Sequence, residues 1–128
     1  MTASARIGRA NYKTEITLGT HTLYADELKD HGGQDEGPEP PEYLNVALAS
    51  CTAITLRMYA DRKNIPLEGV RVDVESVKEE WKTVFKRKIV LEGELTDEHR
   101  QRLLEIADKC PVHKTLTSPI EVATTLAS

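Results

Sequence analysis

The sequence of 128 residues has little of several features that would assign it to a special class. No apolar run reaches the roughly 18 residues that a helix needs to cross a bilayer, so we expect no membrane partner. Acidic residues outnumber basic ones, giving a net charge of −4, and this excludes the basic surface typical of nucleic-acid binding. Residues 1–13 have no apolar segment of the secretory type, so we predict a cytoplasmic protein. The length and composition suit a single domain over residues 1–128.

Cysteine is also scarce, because only Cys51 and Cys110 are present. Thiols stay reduced in the cytoplasm, so two cysteines there indicate redox or metal chemistry more often than a permanent disulfide. Both could also be small core residues, since free cysteine is among the most buried types. Cys110 and His113 have the spacing of a metal-binding pair, but a second pair is missing, so we predict no metal and no bound cofactor.

A long helix is predicted over residues 42–63, directly after two prolines. Its side chains are apolar or small on nearly every face, which is typical of a helix buried on all sides and predicts a homodimer, because one short chain has too little else to cover it. Arg57 is an exception, and we expect it to form a structural ion pair. One face, which includes Cys51, is predicted to point into packed side chains. That face consists of Leu44, Ala47, Leu48, Cys51, Thr55 and Met58.

The remaining pattern predicts an α+β domain with a mostly antiparallel sheet in the order ββ-α-ββ-α-β. The predicted strands cover residues 5–18, 21–25, 69–78, 84–95 and 120–126. A second helix follows the N-cap Thr96, and its apolar stripe ends at Cys110. Residues 26–41 show no periodicity and predict a long loop, a kind of segment that is often functional. The charged stretch KEEWKTVFKRK is interpreted as a protruding, solvated hairpin.

Two stretches, PPEYLNVALASCTAITLRMYADRKNIPLEGVRVDVE and CPVHKTL, resemble the OsmC/Ohr family of osmotically inducible and organic hydroperoxide resistance proteins, in particular its OsmC-like branch. The resemblance implies an OsmC-like fold and an intertwined homodimer built around two central helices. It also implies a thiol-dependent peroxidase that reduces organic hydroperoxides. The implied reductant is an external dithiol, often a lipoylated protein.

The resemblance further assigns roles to three residues of this sequence. Cys51 takes the peroxidatic position, Cys110 the resolving position, and Glu42 the position of the site carboxylate. Such a pair works through a sulfenic acid that condenses to a disulfide. Glu42 precedes Cys51 by about 900° of helical rotation, so the two share a site only if the helix breaks or if Glu42 serves the partner chain.

The resemblance also implies an activating arginine from the segment before the helix, but residues 19–41 contain no arginine. Arg57 lies about 600° from Cys51 and therefore off its face. We predict that Lys29 or His31 supplies the positive charge, and that a buried Cys51 without one has a raised pKa. The alternative function is a non-catalytic dimer that binds a small apolar ligand at its interface, where the cysteines only line the site.

Overall fold

The computed structural model describes all 128 residues, which form two compact units, Met1–Leu44 and Asn45–Ser128. Antiparallel strands and three α-helices confirm the predicted α+β class. The single domain predicted over residues 1–128 stays a prediction. The elements in chain order are β1 (Ala3–Arg6), β2 (Thr14–Leu18), β3 (His21–Ala25), a 3-10 helix (Lys29–His31), α1 (Glu42–Lys63), β4 (Gly69–Lys78), β5 (Thr83–Glu92), α2 (Asp97–Ala107) and α3 (Pro111–Leu116).

The first unit contains a three-stranded antiparallel sheet in the order β1-β2-β3. The turn between β2 and β3 places Gly19 at φ 60°, a conformation that glycine adopts without steric cost. The strand predicted over residues 5–18 is instead two strands. Because Arg6 of β1 pairs with Glu15 of β2, the residues between them must form the connection and cannot extend either strand.

The predicted loop over residues 26–41 is organised around one buried carboxylate, that of Asp26, which is 2% exposed. Its Oδ1 accepts the backbone N–H groups of Tyr12 at 3.3 Å and Glu27 at 2.7 Å. Its Oδ2 accepts those of Gln34 at 3.2 Å and Glu36 at 3.1 Å. Burial acts to raise the pKa of Asp26, but these four backbone donors lower it below its ordinary value. The loop is therefore held in shape by hydrogen bonds to a charged side chain.

The second unit packs α1 and α2 together with the long hairpin of β4 and β5. The hairpin keeps a continuous register from Gly69 opposite Glu92 to Lys78 opposite Thr83. Trp81 at its turn is 90% exposed, which confirms the predicted solvated hairpin tip. The core consists of Leu56, Tyr59, Ala60, Ile65, Leu67, Leu103, Ile106 and Ala107.

Helix α1 has the predicted bounds, but its buried face is not the predicted one. Leu44 and Met58, both predicted to face the core, are 50% and 63% exposed. The face that packs is shifted by about one position and includes Thr52, whose hydroxyl donates to the Leu48 carbonyl at 2.7 Å. This local bond lets a polar side chain enter the core in place of an apolar one. The buried residues of α1 are Leu48, Thr52, Leu56, Tyr59 and Ala60.

Two predictions on ion pairing and capping are confirmed in the second unit. Arg57 forms an ion pair with Asp61 at 2.8 Å and donates to the Leu67 carbonyl at 2.7 Å. Thr96 caps α2 by accepting the His99 N–H at 3.0 Å, while the His99 side chain accepts the Thr96 N–H. The first arrangement ties α1 to the segment that follows it, and the second fixes the start of α2.

The strand predicted over residues 120–126 is wrong, because this segment has no regular structure. Its apolar side chains are exposed, with Ile120 at 65% and Val122 at 83%. A strand needs a neighbouring edge to pair with, and this segment pairs with none in its own chain. The observed order is therefore βββ-α-ββ-αα. None of the helices combines the length and apolar character needed to cross a bilayer.

Candidate functional site

Both cysteines belong to the second unit and are free thiols. Cys51 lies in the middle of α1 and is half-buried, whereas Cys110 precedes α3 and is fully buried. The Cys51 thiol is within hydrogen-bonding reach of the Cys110 sulfur. A molecule in solvent can therefore reach Cys51 but not Cys110.

Cys110 is surrounded by hydrogen-bond donors. It is the N-cap of α3, and its Sγ accepts the His113 N–H at 3.4 Å. The Thr52 hydroxyl oxygen lies 3.9 Å from the same sulfur. Burial acts to raise the pKa of Cys110, but donation from Cys51, His113, Thr52 and the Val112 N–H lowers it below its ordinary value.

Cys51 differs from Cys110 in the direction of its pKa shift. Burial raises the pKa of the Cys51 thiol, and the hydrogen bond that it donates to Cys110 raises it further. The raised pKa predicted for Cys51 is confirmed. Of the two thiols, Cys110 therefore has the lower pKa.

A cation lies beside this pair, and it is Arg87 of β5, which the sequence interpretation treated as a surface charge. Its side chain is only 12% exposed. Nη1 donates to the Thr52 hydroxyl oxygen at 3.1 Å and to the Ala107 carbonyl at 3.2 Å. Nη2 forms an ion pair with Asp108 at 2.9 Å. The guanidinium is therefore one hydroxyl group away from the Cys110 sulfur.

A sequence signal for Arg87 existed in the alternation of β5. Residues on the inward face of this strand are half-buried and include Phe85, Ile89 and Leu91, and Arg87 is in phase with them. An arginine on an inward face needs buried partners. The surrounding lysines masked this signal, because they made the stretch look uniformly solvated.

The second unit contains a cavity of about 540 Å³, and Arg87 and His113 belong to its lining. Its lining is mainly apolar, and Arg87 and His113 provide polar groups. Neither cysteine lines it. The apolar lining residues include Leu48, Val84, Phe85, Ile89, Leu104 and Leu116. A cavity of this size and character suits an apolar small molecule with one polar end.

The other predicted site residues, Glu42, Lys29 and His31, belong to the first unit. Glu42 begins α1, and its Oε1 accepts the Glu39 N–H at 2.9 Å. Lys29 is an exposed residue of the 3-10 helix. His31 ends that helix, with Nδ1 3.5 Å from Glu39 Oε2. The roles predicted for these three residues stay predictions.

One group of side chains could in principle share a metal ion, namely Glu27, His31 and Glu39, whose ligand atoms lie within 4.8 Å of one another. The group does not include either cysteine or His113. The imidazole of His31 is 62% exposed. Exposed acidic clusters of this kind are common without an ion, so the arrangement assigns no metal site.

The family model described as OsmC-like protein matches residues 33–125 of the chain. Similar solved structures include an OsmC-like protein of Mycoplasma pneumoniae, with 15% identity, a TM-score of 0.77 and coverage of 90% of this chain and 85% of that one. An organic hydroperoxide resistance protein OsmC of Legionella pneumophila has 24% identity and a TM-score of 0.61, with coverage of 91% and 88%.

A third similar structure is an organic hydroperoxide resistance protein of Elizabethkingia anophelis, with 21% identity, a TM-score of 0.67 and coverage of 93% of this chain and 89% of that one. No curated protein matches the chain. At these identities the structural likeness establishes the fold, while the family model extends over most of the sequence and includes both cysteines. The chain belongs to the OsmC-like family.

Proposed function

We propose that the protein is a thiol-dependent peroxidase that reduces organic hydroperoxides through Cys51 and Cys110. The observation that carries the proposal is the pair of free thiols within hydrogen-bonding reach, one half-buried and one fully buried. The half-buried sulfur of Cys51 is the one that a peroxide reaches. Names given to relatives of the family point to the same substrate class, since two of them are organic hydroperoxide resistance proteins.

The reaction begins when the half-buried Cys51 thiol loses its proton to solvent, which leaves a thiolate on Cys51. This thiolate attacks the terminal oxygen of the hydroperoxide, so that an S–O bond forms and the O–O bond breaks. The products are a Cys51 sulfenic acid and an alkoxide, which takes a proton and leaves as the alcohol. The raised pKa of Cys51 makes its thiolate scarce but strongly nucleophilic once formed.

The second step joins the two sulfurs. Cys110 attacks the sulfenic sulfur as its thiolate, the S–O bond breaks, and hydroxide leaves and takes a proton from solvent, which yields a disulfide within one chain. An external dithiol, such as a lipoyl group on a partner protein, then reduces the disulfide by thiol exchange and is itself oxidised. The proposal includes a cytoplasmic location, where such reductants keep thiols reduced. It keeps Glu42 as site carboxylate and Lys29 or His31 as an additional positive charge.

The proposal also includes a homodimer. Val46, Ile54 and Met58 of α1 are 52%, 55% and 63% exposed in the single chain, so an apolar side of the helix has no cover. The exposed apolar segment from Ile120 to Leu126 has the pattern of a strand without a partner and suits an open edge of a second copy.

Sedimentation of an Ile54→Lys variant tests the dimer. We expect wild type to sediment as a dimer at micromolar concentration and the variant as a monomer, because the new charge would be buried without a partner. Trp81→Lys, at the exposed hairpin tip, is the matched control and should stay dimeric. A stable wild-type monomer would count against the dimer.

The cavity supports a second candidate function, the binding of a small apolar ligand without chemistry. Its apolar lining and volume of about 540 Å³ are those of a ligand site, and the absence of both cysteines from its lining favours a role apart from redox chemistry. In the peroxidase reading, the same cavity holds the apolar part of the hydroperoxide.

Peroxide consumption with dihydrolipoamide as reductant separates the two functions. We expect cumene hydroperoxide to be reduced at least about tenfold faster than hydrogen peroxide, since tenfold needs about 1.4 kcal/mol, less than two buried CH₂ groups contribute. Consumption of neither peroxide, together with saturable binding of cumyl alcohol, would favour the binding protein.

A further inference from the structure

Arg87 has contacts that the peroxidase chemistry described so far leaves unused. Its guanidinium is nearly buried, and both Nη1 hydrogens have acceptors, one on Thr52 and one on Ala107. The Thr52 oxygen that accepts from Nη1 is the atom 3.9 Å from the Cys110 sulfur. A cation, a hydroxyl and a sulfur thus form a continuous chain.

Thr52 has a single hydroxyl hydrogen, and in this structure two acceptors compete for it. The Leu48 carbonyl is at 2.7 Å, and the Cys110 sulfur is at 3.9 Å. A neutral thiol is a weak acceptor, so the hydrogen stays on Leu48 while Cys110 is protonated. A charged sulfur is a much stronger acceptor and can draw the hydrogen toward itself. Donation from Arg87 to the same oxygen makes the hydroxyl a better donor, because linked hydrogen bonds polarise one another.

We infer that Arg87 is a positioning residue which, through Thr52, holds Cys110 as a thiolate for its attack on the Cys51 sulfenic acid. The inference rests on the proposed peroxidase function. Arg87 is not the arginine that the family resemblance implies, because that one precedes the long helix and Arg87 lies on β5.

The step that Arg87 assists is a displacement at the sulfenic sulfur. The Cys110 thiolate supplies the electron pair for the new S–S bond, and the S–O bond breaks as hydroxide leaves and takes a proton from water. Cys110 is oxidised and the sulfenic sulfur is reduced, so both end in the disulfide. The first step, attack of Cys51 on the peroxide, does not need Cys110 to be ionised once the Cys51 thiolate exists.

Arg87 also has structural contacts that the test must separate from this role. It satisfies the Ala107 carbonyl at the end of α2 and pairs with Asp108, and either contact alone stabilises the fold. Thr52→Val separates the two roles, because it removes the hydroxyl and leaves the other contacts of Arg87 in place. Arg71→Met is the matched control, since Arg71 lies on β4, is 75% exposed and pairs only with Asp73.

The experiment mixes each protein with one equivalent of cumene hydroperoxide, traps sulfenic acid with dimedone and follows loss of both thiols by mass spectrometry. In Arg87→Met we expect peroxide to be consumed while disulfide formation slows about 10- to 100-fold, because the loss of a charge-assisted hydrogen bond has an effect of this size. The Cys51 dimedone adduct should accumulate. Thr52→Val should change in the same direction by less, Arg87→Lys should recover part of the rate, and Arg71→Met should match wild type.

The pH dependence gives a readout that a purely structural role would not move. Three elements bring titratable or charged residues toward Cys110: Cys51 on α1 donates to it, Arg87 on β5 is linked to it through Thr52, and His113 on α3 donates its backbone N–H to it. Asp108 after α2 pairs with Arg87 and with the His113 imidazole. Raising the pH should restore the disulfide rate of Arg87→Met, because hydroxide then ionises Cys110 without help. Disulfide formation at the wild-type rate in both Arg87→Met and Thr52→Val, or a defect that high pH does not relieve, would overturn the inference.

A direct titration keeps this test independent of the proposed function. In a Cys51→Ser background, Cys110 is the single thiol, and the ultraviolet absorbance of its thiolate can be followed against pH. The midpoint should move to higher pH in both Arg87→Met and Thr52→Val. Coincident curves would refute the role of Arg87, whereas wild-type protein that consumes no peroxide would refute the proposed function and leave these shifts standing.

Discussion

Each unit of the protein contains a buried side chain that can carry a negative charge, Asp26 in the first and Cys110 in the second, and the two are stabilised in different ways. Asp26 in the first unit receives four backbone N–H groups and no cation. Cys110 in the second unit receives the backbone N–H groups of His113 and Val112, and it also receives the side-chain hydrogens of Thr52 and Cys51. Arg87 donates a hydrogen bond to the Thr52 hydroxyl oxygen.

The comparison shows how donor type separates a structural anion from a reactive one. A backbone N–H cannot turn away, so the carboxylate of Asp26 stays charged and its loop stays folded around it. The hydrogens of a hydroxyl and a thiol can be redirected or transferred. Cys110 can therefore gain and lose charge during a reaction without rearrangement of the backbone.

Replacing the two cysteines should have the largest effect on peroxide consumption. Without such an effect, the description of Cys110 as a reactive anion would be wrong. Cys51→Ser should abolish peroxide consumption, because the attacking atom is lost. Cys110→Ser should allow one turnover and then stop, with Cys51 left as a sulfenic acid or overoxidised. Peroxide consumption with dihydrolipoamide, followed by mass spectrometry, measures both. Sustained turnover of Cys51→Ser would contradict the assignment of the attacking sulfur.

Replacing the structural anion should cost stability. In Asp26→Asn, the amide NH₂ would face backbone N–H groups that now donate to a carboxylate oxygen, so these lose their acceptor. Thermal unfolding at neutral pH should show a Tm lowered by several degrees. Asp30→Asn, on the exposed 3-10 helix, is the matched control and should unfold like wild type.

The pH dependence of that difference has a definite sign. The folded-state pKa of Asp26 is lowered, so its stabilisation is fully present above its ordinary value of about 3.9 and is lost as the pH falls through the folded-state pKa. The gap in Tm between wild type and Asp26→Asn should therefore narrow in acid. A gap that stays constant down to acid pH would mean that the charge of Asp26 contributes nothing.

The smallest expected effect on stability concerns Glu27 of the first unit, whose carboxylate lacks the backbone N–H donors that Asp26 has. The pKa of Glu27 is raised by its hydrogen bond with the Glu39 carboxyl, by burial and by the like charge, while His31 acts in the opposite direction. Wild type accordingly loses a little stability as the pH rises through the window between the ordinary and the raised pKa.

In Glu39→Gln the like charge is gone, so the Glu27 midpoint should fall toward its ordinary value. An NMR titration of the Glu27 carboxyl measures it, and Glu36→Gln, which changes a glutamate outside this pair, is the control. An unchanged midpoint would show that Glu39 does not act on Glu27.

Much of the fold could be predicted from local patterns in the sequence. The start of α1 follows from the two prolines before it, and Thr96 marks the start of α2, because these signals act within a few residues. The prediction of a strand over residues 120–126 is wrong because alternation shows only that a segment can pair. Whether a neighbouring strand edge is available depends on the tertiary structure. The prediction of the buried face of α1 is wrong because the Thr52 hydroxyl donates a hydrogen bond to the Leu48 carbonyl of the same helix. Hydrophobicity alone does not show that a polar side chain can be buried in this way.

The two cysteines of the site could be predicted from resemblance and from their helical contexts, but their electrostatics could not. A pKa depends on donors brought together from α1, β5 and α3, which are remote in sequence. The resemblance implies a cation from the segment before α1, whereas Arg87 lies on β5, where its phase in the strand indicates an inward side chain.

The most direct measurement of the central claim is a thiol count after one equivalent of cumene hydroperoxide, made by mass spectrometry on the wild-type protein. The account predicts a fall from two free thiols to none, one Cys51–Cys110 disulfide within each chain and an equal amount of cumyl alcohol. Two thiols remaining, with the protein mass unchanged and the hydroperoxide intact, would contradict it.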